Sequence, residues 1–205
     1  MNANLFSAFN VLEAIPLPDG ELYYQAHLDL GAPEENLLQQ LITSTPWRAE
    51  HITLWGKPVL QPRLTAWYGD PEAHYTYSGI ELAPMPWTTL LADIRKKVEA
   101  ACATPFNSVL LNYYRDEQDS MGFHSDDEPE LGRQPVIASL SLGEERDFIL
   151  KHKKSRTLKP VRLSLASGSL LLMKGDTQHN WRHGIAKETQ PCGPRVNLTF
   201  RRILT

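Results

Sequence analysis

A histidine and an aspartate stand two residues apart in an acidic stretch near the middle of the chain. The stretch reads GFHSDDEPE and contains His124 and Asp126. In an extended segment successive side chains alternate, so these two share a face and can reach one metal ion. The pair alone is a weak signal, because H-x-D occurs by chance in many chains and an acidic run is most often solvated surface.

Two histidines further along the chain compete for the place of a third ligand. His183 lies in WRHGI, and two histidines with one carboxylate form the open-sided ligand set of non-haem Fe(II) oxygenases. His179 precedes it with the H-x-x-x-H spacing of a zinc helix, but no glutamate lies between them and the nearby glycines disfavour a helix. We predict His183 as the ligand, with His179 beside it or on the substrate side.

A basic and polar face near the C-terminus predicts an anion site. The segment RVNLTFR runs from Arg195 to Arg201, and Asn197 and Thr199 lie on the same face as the two arginines. Arginine forks match carboxylates bidentately, so this face suits a small dicarboxylate; an ordinary half-exposed strand is the alternative. Upstream, in LNYYRD, Asn112 and Tyr114 share a face that could complete the carboxylate site, or could form an edge strand with a wet face.

Length and composition restrict the kind of protein that carries these residues. The chain has 205 residues, enough for one sizeable core but short for two ordinary domains. The net charge of −3 requires any nucleic-acid binding to come from a local basic patch. Two cysteines cannot form a disulfide framework. The N-terminal residues lack the pattern expected of a secretory signal, and the longest apolar runs in the chain are far shorter than the ~20 residues that a membrane span needs. We expect a soluble intracellular protein.

The pattern of apolar residues predicts two helices followed by many strands. A helix follows Pro33 and another follows Pro86, each with an apolar stripe at helical spacing. Residues 51–69 read as two strands joined at positions 56–58. Further strands are predicted at 107–114, 135–142, 146–151, 160–165, 169–174 and 195–202. Together these elements predict an α+β fold in which the helices pack on a β-sandwich or jelly roll.

The order of these motifs resembles the AlkB family of Fe(II)/2-oxoglutarate-dependent nucleic-acid dealkylases. The resemblance rests on N-x-Y, H-x-D with Glu128, H-G-I and R-x-N-L-T-F-R, in that order, and on YTYSG at 75–79, PVIASLSLGEERDF and GSLLLMKG. It covers about residues 63–202. It implies a double-stranded β-helix core with N-terminal helices packed on it.

The family resemblance also implies a ligand set and a reaction. Fe(II) would be bound by His124, Asp126 and His183. The cofactor 2-oxoglutarate would be held by Arg195 and Arg201, assisted by Asn112, Tyr114 and Asn197, with O2 as co-substrate. Which arginine holds which carboxylate is left open. The implied reaction couples decarboxylation of 2-oxoglutarate to hydroxylation of an N-methyl group, which leaves as formaldehyde.

The implied substrate is an alkylated base, such as 1-methyladenine or 3-methylcytosine, in DNA or alternatively in RNA. A base must be flipped out of a duplex to reach a buried metal. By the resemblance Glu128 contacts the base. Tyr77 and His179 are the candidates for stacking on it, and Trp55 could wedge into the stack where the base leaves. Tyr77 could instead be a half-buried strand aromatic, and Trp55 could equally pack on the core.

A basic run between Lys151 and Arg162 is the best local patch for phosphates in an acidic chain. We predict that it contacts the nucleic-acid backbone, although a charge run is most often a solvated face. The predicted contacts are Lys151, Lys153, Lys154 and Arg156.

The expected organisation is one domain over 1–205. It would comprise an N-terminal extension and helix at 1–50, a substrate-recognition hairpin region at 51–80 and a jelly-roll catalytic core at 105–205. We expect a monomer without membrane contact, in a bacterial cytoplasm.

Two other functions are compatible with the motifs: a 2-oxoglutarate-dependent hydroxylase of a protein or small molecule, and a non-catalytic nucleic-acid-binding or metal-sensing jelly roll. Loss of Asp126 would abolish turnover in either enzyme but spare a simple binder.

Overall fold

The computed structural model describes residues 11–54, 57–77 and 80–204. Within these ranges the side chains of 52–54, 57, 75–77 and 80–82 are not described. No helix in the described ranges is long and apolar enough to cross a membrane.

Two helices form where the apolar stripes predict them. The first, α1, spans Glu34–Ser44 directly after Pro33 and buries Leu37, Leu38 and Leu41. The second, α2, spans Thr89–Cys102. The Thr88 hydroxyl accepts a hydrogen bond from the Leu91 amide at 3.2 Å, which satisfies one free amide of the first turn. Both helix predictions are confirmed.

The described residues form fifteen strands, numbered in chain order, and eleven of them make two facing antiparallel sheets. The seven-stranded sheet contains, in spatial order, Glu13–Ile15 (β1), Glu21–Gln25 (β2), Leu170–Lys174 (β13), Ile137–Gly143 (β10), Arg195–Arg201 (β15), Ser108–Tyr114 (β8) and Leu64–Gly69 (β5). The four-stranded sheet contains Val161–Leu165 (β12), Arg146–His152 (β11), Trp181–Ile185 (β14) and Met121–His124 (β9). Two separate hairpins pair His51–Leu54 (β3) with Lys57–Leu60 (β4) and Tyr75–Tyr77 (β6) with Ile80–Leu82 (β7).

From β8 onward the chain crosses repeatedly between the two sheets, and only β11 and β12 are consecutive strands of the same sheet. This confirms the predicted jelly roll with helices packed on it. Strands β8, β10, β13 and β15 lie in the larger sheet, while β9, β11, β12 and β14 lie in the smaller one. The six strands predicted after residue 105 match observed strands to within two residues. A short helix, α3, spans Thr177–Asn180 between β13 and β14.

The apolar core is divided into two layers by the larger sheet. One buried cluster joins α1 and α2 to the outer face of that sheet and includes Leu41, Val98, Leu140 and Leu198. The other lies between the two sheets and includes Trp181. Burial of these side chains holds the sheets face to face, at about 25 cal/mol per Å² of apolar surface removed from water. Polar residues on the inner faces are therefore enclosed between the sheets.

The prediction of two strands over 51–69 is wrong, because the segment forms three. Strands β3 and β4 make a hairpin, and β5 then joins the larger sheet beside β8. Pro62 lies between β4 and β5 and has no amide hydrogen to continue a ladder. Its carbonyl accepts instead from the Ser120 amide at 2.8 Å.

The N-terminal strands β1 and β2 have no counterpart in the sequence prediction. They extend the larger sheet beyond β13, where Glu21 is opposite Lys174 and Gln25 is opposite Leu170. The sheet that carries the site therefore includes residues outside 105–205.

Cys102 and Cys192 are both free, and burial raises the pKa of Cys102 to about 12.

Candidate metal and carboxylate site

Strand pairing brings the two predicted histidine ligands together. In the antiparallel pair of β9 and β14, His124 lies directly opposite His183, and opposed residues project to the same face. Asp126 follows two residues after the end of β9. Its Oδ1 lies 3.8 Å from His124 Nε2, and its Oδ2 lies 3.9 Å from His183 Nε2. All three ligand atoms lie within 4.8 Å of one another, a spacing that one metal ion can bridge.

The helix α3 holds the aspartate in this position. The buried side chain of Gln178 accepts a hydrogen bond through Oε1 from the Asp126 amide at 3.0 Å. The Ser125 hydroxyl donates to the Trp181 carbonyl at 2.8 Å. These contacts fasten the loop after β9 to the segment that leads into β14, so the three ligands are held by one hydrogen-bonded unit.

The charges of the triad suit a divalent cation. Burial acts to raise the pKa of Asp126, but Arg201, His183 and His124 together hold it below its usual value. Burial, with the neighbouring His124, lowers the pKa of His183 to about 3. At neutral pH the site therefore presents an ionised carboxylate and a neutral imidazole, the protonation states that a metal ion requires.

Arg195 forms the second part of the site, and it is fully buried on the inner face of the larger sheet. Its Nη2 donates to the Ser141 hydroxyl at 2.9 Å, and its guanidinium carbon lies 5.1 Å from the ring centroid of Tyr114, which is opposite it in the β15–β8 pair. Burial lowers the pKa of Arg195. Its Nε and Nη1 are buried without a partner among the described residues. Because buried charged donors without partners are costly, these two groups are suited to bind an anion.

Arg201 stands at the metal end of the same face. Its Nη2 donates to Asp126 Oδ1 at 2.6 Å, while its Nε is buried without a partner in the described structure. One cavity is lined by the metal triad, Tyr114, Arg195 and Arg201. The cavity therefore offers a metal centre at one end and a buried guanidinium with free donors in its wall, which fits a dicarboxylate that also reaches the metal.

The two predicted asparagines are both hydrogen-bonded to other side chains, and of the two only Asn197 lines the cavity. Asn197 donates through Nδ2 to the Ser139 hydroxyl at 2.7 Å, and Asn112 accepts through Oδ1 from Arg63 Nε at 2.7 Å. Sequence reasoning missed Arg63 and the serines on β10. Ser139 and Ser141 alternate with leucines in ASLSL, and this alternation was a usable signal for a polar inner face.

A further buried arginine, which carried no sequence signal, fastens the ends of the strands that hold the ligands. The Arg146 guanidinium donates to the carbonyls of Asp119 and Ala186 and to the carboxylate of Glu188. It thereby ties the loop between β8 and β9 to the residues after β14. Three carbonyl and carboxylate partners satisfy a charge that would otherwise be costly to bury.

Most of the chain matches a known protein family. The family model described as the 2OG-Fe(II) oxygenase superfamily matches residues 25–201, a range that contains the metal triad and both arginines. The chain belongs to this superfamily. The superfamily takes its name from Fe(II) and 2-oxoglutarate, and the triad and the two arginines fit these two groups.

Relatives within the superfamily place the chain near the AlkB homologues. It is 43% identical over 175 residues to alpha-ketoglutarate-dependent dioxygenase alkB homolog 3 of Mus musculus, over 82% of this chain and 60% of the relative. It is 45% identical over 159 residues to DNA oxidative demethylase ALKBH2 of Homo sapiens, over 75% of this chain and 61% of the relative. The chain thus spans about 60% of the length of these curated relatives.

A solved structure shares the fold of this oxygenase chain. The protein titled "The structure of OsALKBH1" aligns with a TM-score of 0.61 and 16% sequence identity, over 93% of this chain and all of that one. At this identity the likeness is one of fold. It supports the jelly roll observed here, with the metal triad between its sheets.

The predicted base-contacting carboxylate, Glu128, follows the metal-binding loop in the chain. Glu128 is half-buried and lies two residues after Asp126. Its Oε2 is buried and has no hydrogen-bond partner in the described part of the chain. His179 is exposed on α3, whereas His183 lies on β14, so the two histidines do not form a helical zinc pair. Trp55 and the side chain of Tyr77 lie outside the described residues.

The basic segment at the end of β11 and after it lies beside the metal loop, as the contact between Lys153 and Asp127 shows. Lys151, Lys154 and Arg156 are exposed. The Lys153 ammonium, by contrast, forms an ion pair with Asp127 at 2.9 Å and donates to the Gln178 carbonyl at 2.8 Å. Lys153 is thus the least available of the four predicted phosphate contacts.

Replacing Gln178 with leucine is expected to weaken Fe(II) binding about 10- to 100-fold, the usual cost of losing a residue that orients a metal ligand. The cause is loss of the acceptor that holds the Asp126 amide. Gln134→Leu is the matched control, because Gln134 bonds only to exposed Asp176 in the described structure. Equal Fe(II) affinity of Gln178→Leu and the control, measured by competition with a chelating dye, would show that Gln178 does not position the ligand.

Proposed function

We propose that this chain is an oxidative demethylase of alkylated bases in nucleic acid. Its substrates would be lesions of the 1-methyladenine and 3-methylcytosine type in DNA, with RNA as a further substrate. The observation that carries the proposal is the buried, unpartnered Oε2 of Glu128 two residues from the metal-binding Asp126. The names of the relatives, which include DNA oxidative demethylases, agree with it.

The chemistry of Glu128 fits a cationic base. A carboxylate oxygen that is buried without a donor is costly, so its natural partner is a ligand that brings a hydrogen-bond donor and a positive charge. Methylation at N1 of adenine or N3 of cytosine places a positive charge on the base and leaves an exocyclic amine to donate. A flipped base of this kind would satisfy Glu128 and lie close to the metal loop.

Each end of the cavity has its own part in holding the cofactors. His124, Asp126 and His183 would bind Fe(II). Arg195, with Nε and Nη1 unused and no metal ligand beside it, would hold the carboxylate of 2-oxoglutarate that lies away from the metal. Arg201 already contacts Asp126 and would hold the metal-side carboxylate. Together with O2, these cofactors supply the oxidant that hydroxylates a C–H bond.

The protein's own contribution to the reaction is position and exclusion of water. Glu128 would orient the base so that its methyl group faces the metal centre, and the buried walls of the cavity would keep bulk water out. Hydroxylation of the N-methyl carbon gives a hemiaminal. Loss of the hydroxyl proton and cleavage of the C–N bond release formaldehyde. The electron pair of that bond returns to the ring nitrogen, which leaves the neutral, unmodified base.

The hairpins between 51 and 82 would form the substrate-recognition region of a single domain. Strands β3–β4 and β6–β7 stand apart from the two main sheets, as expected of elements that contact a substrate rather than build the core. Both aromatic candidates belong to this region. Trp55 would wedge into the stack of bases, and Tyr77 would stack on the flipped base. A monomer in a bacterial cytoplasm is part of the same proposal, and the two free cysteines agree with a reducing compartment.

Alanine at Lys154 and Arg156 together is expected to weaken binding of single-stranded DNA and to reduce the salt dependence of the affinity. Each lost phosphate contact should lower the slope of log K against log salt by about 0.7. Lys96→Ala is the control, because Lys96 is exposed on α2 and paired with Asp93. An unchanged affinity and slope, from fluorescence anisotropy titrations at several salt concentrations, would refute the assignment.

The proposal is tested by mass spectrometry of an oligonucleotide that carries one 3-methylcytosine. With Fe(II), 2-oxoglutarate and ascorbate, the protein should convert the lesion to cytosine, and His124→Ala should not. If cytosine does not appear but 2-oxoglutarate is still converted to succinate, the chain is an oxygenase of another substrate, such as a protein or small molecule. If neither product forms while DNA still binds, a non-catalytic binder is the better account.

A further inference from the structure

An exposed aromatic ring lies directly beside the metal-binding strand. Phe123 precedes His124 on β9 and is 38% exposed. Among the large apolar side chains that the structure describes as exposed, it is the one aromatic. The ammonium of Lys151 lies over its ring, 4.0 Å from the centroid. This exposed ring belongs to neither of the two buried clusters.

The metal centre is most exposed at His124, the residue directly after Phe123. The side chains of Asp126 and His183 are buried, at 2% and 6% exposure, whereas that of His124 is 31% exposed. Strand β9 is the outermost strand of the smaller sheet, and His124 and Phe123 project from its two faces. A chain that reaches the metal over the His124 side would therefore pass along the edge that carries Phe123.

Two cations stand on the same outer face as the ring. Lys151 on β11 lies directly opposite Arg182 on β14, and both are exposed. Neither forms an ion pair with any residue that the structure describes. On the neighbouring strand β12, by contrast, Arg162 is paired with Asp147. Unneutralised positive charge is thus concentrated next to Phe123, and we refer to Phe123, Lys151 and Arg182 as the edge platform.

We propose that the edge platform binds the nucleic-acid strand next to the base that enters the site. Phe123 stacks with a neighbouring nucleobase, and Lys151 and Arg182 contact the phosphates that flank it. Base-on-aromatic stacking tolerates any sequence, and a cation against the ring strengthens it. This inference rests on the proposed function, because it names the residues that hold the strand on which that function acts.

A single strand fits this platform better than other occupants. Its bases expose flat faces that an aromatic side chain can stack on, and its phosphates supply the anions that two free cations need. In a duplex the bases next to a flipped nucleotide remain stacked on their neighbours. We therefore expect the platform to favour single-stranded over double-stranded substrates.

The test measures the affinity of the protein for a fluorescein-labelled single-stranded 15-mer that carries one 3-methylcytosine. Fe(II) is left out, so that the oligonucleotide is not converted during the titration. Phe123→Leu keeps an apolar side chain but removes the π face, and it should weaken binding about 5- to 20-fold with an unchanged salt slope. Phe123→Trp should bind at least as tightly as the parent protein. Arg182→Ala should lower the salt slope by about 0.7, whereas the matched Arg162→Ala, already neutralised by Asp147, should not.

An abasic site identifies the stacked base directly. It is placed in turn on each side of the 3-methylcytosine. At one of these positions it should weaken binding by the parent protein as much as Phe123→Leu does, and it should cause no further loss in the Phe123→Leu protein. Such non-additivity marks a direct contact between the two removed groups.

Equal affinity of Phe123→Leu and the parent protein for every oligonucleotide would overturn the platform. So would additive losses from the abasic site and the substitution, since they would place the base elsewhere. Failure of the proposed function gives a different result: the parent protein leaves 3-methylcytosine intact in the repair assay, whatever the affinities are. The two inferences therefore fail separately.

Discussion

Asp126→Ala protein is expected to bind Fe(II) at least about 100-fold more weakly than the parent and to form no succinate. The carboxylate is the one anionic member of the triad, and loss of a ligand should exceed the 10- to 100-fold cost of losing a residue that only orients one. The change also leaves the Arg201 guanidinium without its partner, 2.6 Å from where the carboxylate had been. Its positive charge would then repel the metal ion.

Asp127→Ala is the matched control for this prediction. Asp127 is the next residue on the same loop, but it is exposed and paired with Lys153 rather than directed at the histidines. It should retain metal affinity and turnover. Because Asp126→Ala also leaves a buried charge unpaired, Asp126→Asn should be compared, as it keeps an acceptor for Arg201. Turnover by Asp126→Ala in a folded protein would contradict the assignment of the triad.

Arg195→Met is expected to raise the KM for 2-oxoglutarate about 30-fold or more, with a smaller effect on kcat at saturation. Removing one partner of a buried charge pair costs about 2–5 kcal/mol, which corresponds to at least about a 30-fold loss of affinity. Arg195 is fully buried and has two donors without partners in the described structure, so its charge serves a ligand rather than the fold.

Two comparisons separate ligand binding from folding in this experiment. Arg195→Lys keeps the charge but not the fork, and it should recover part of the affinity. The stabilisation by 2-oxoglutarate against thermal unfolding, measured without turnover, should be present in the parent protein and absent in Arg195→Met. An unchanged KM together with an unchanged ligand-induced shift in Tm would rule out Arg195 as the carboxylate anchor.

The sequence predicts the strands that alternate cleanly and misses those that do not. NSVLLNYY and PVIASLSL have long apolar faces, and both form strands where expected. MGFH and WRHGI are short and contain glycine, so no period-2 pattern marks β9 and β14, although these strands carry two metal ligands. The functional strands are irregular because one face holds the metal site and Gly184 allows β9 to approach closely: a Cβ there would meet the Met121 carbonyl at 2.8 Å.

The residue types of the site are predictable, but their pairings are not. Spacing and family resemblance single out His124, Asp126 and His183, and the fold brings them together. That Arg201 reaches Asp126 depends on how the two sheets close on each other, which no local pattern encodes. Lys153 shows the same limit. Its charge predicts a phosphate contact, whereas in the fold its ammonium forms an ion pair with Asp127.

The molar ratio of succinate to repaired base tests the central claim most directly. A single-stranded oligonucleotide with one 3-methylcytosine is incubated with Fe(II) and limiting 2-oxoglutarate, and succinate, formaldehyde and cytosine are quantified together. We expect the three products to form in equal amounts, and an unmethylated oligonucleotide to yield far less succinate. Succinate that forms at the same rate with either oligonucleotide, without formaldehyde, would contradict demethylation as the function of this site.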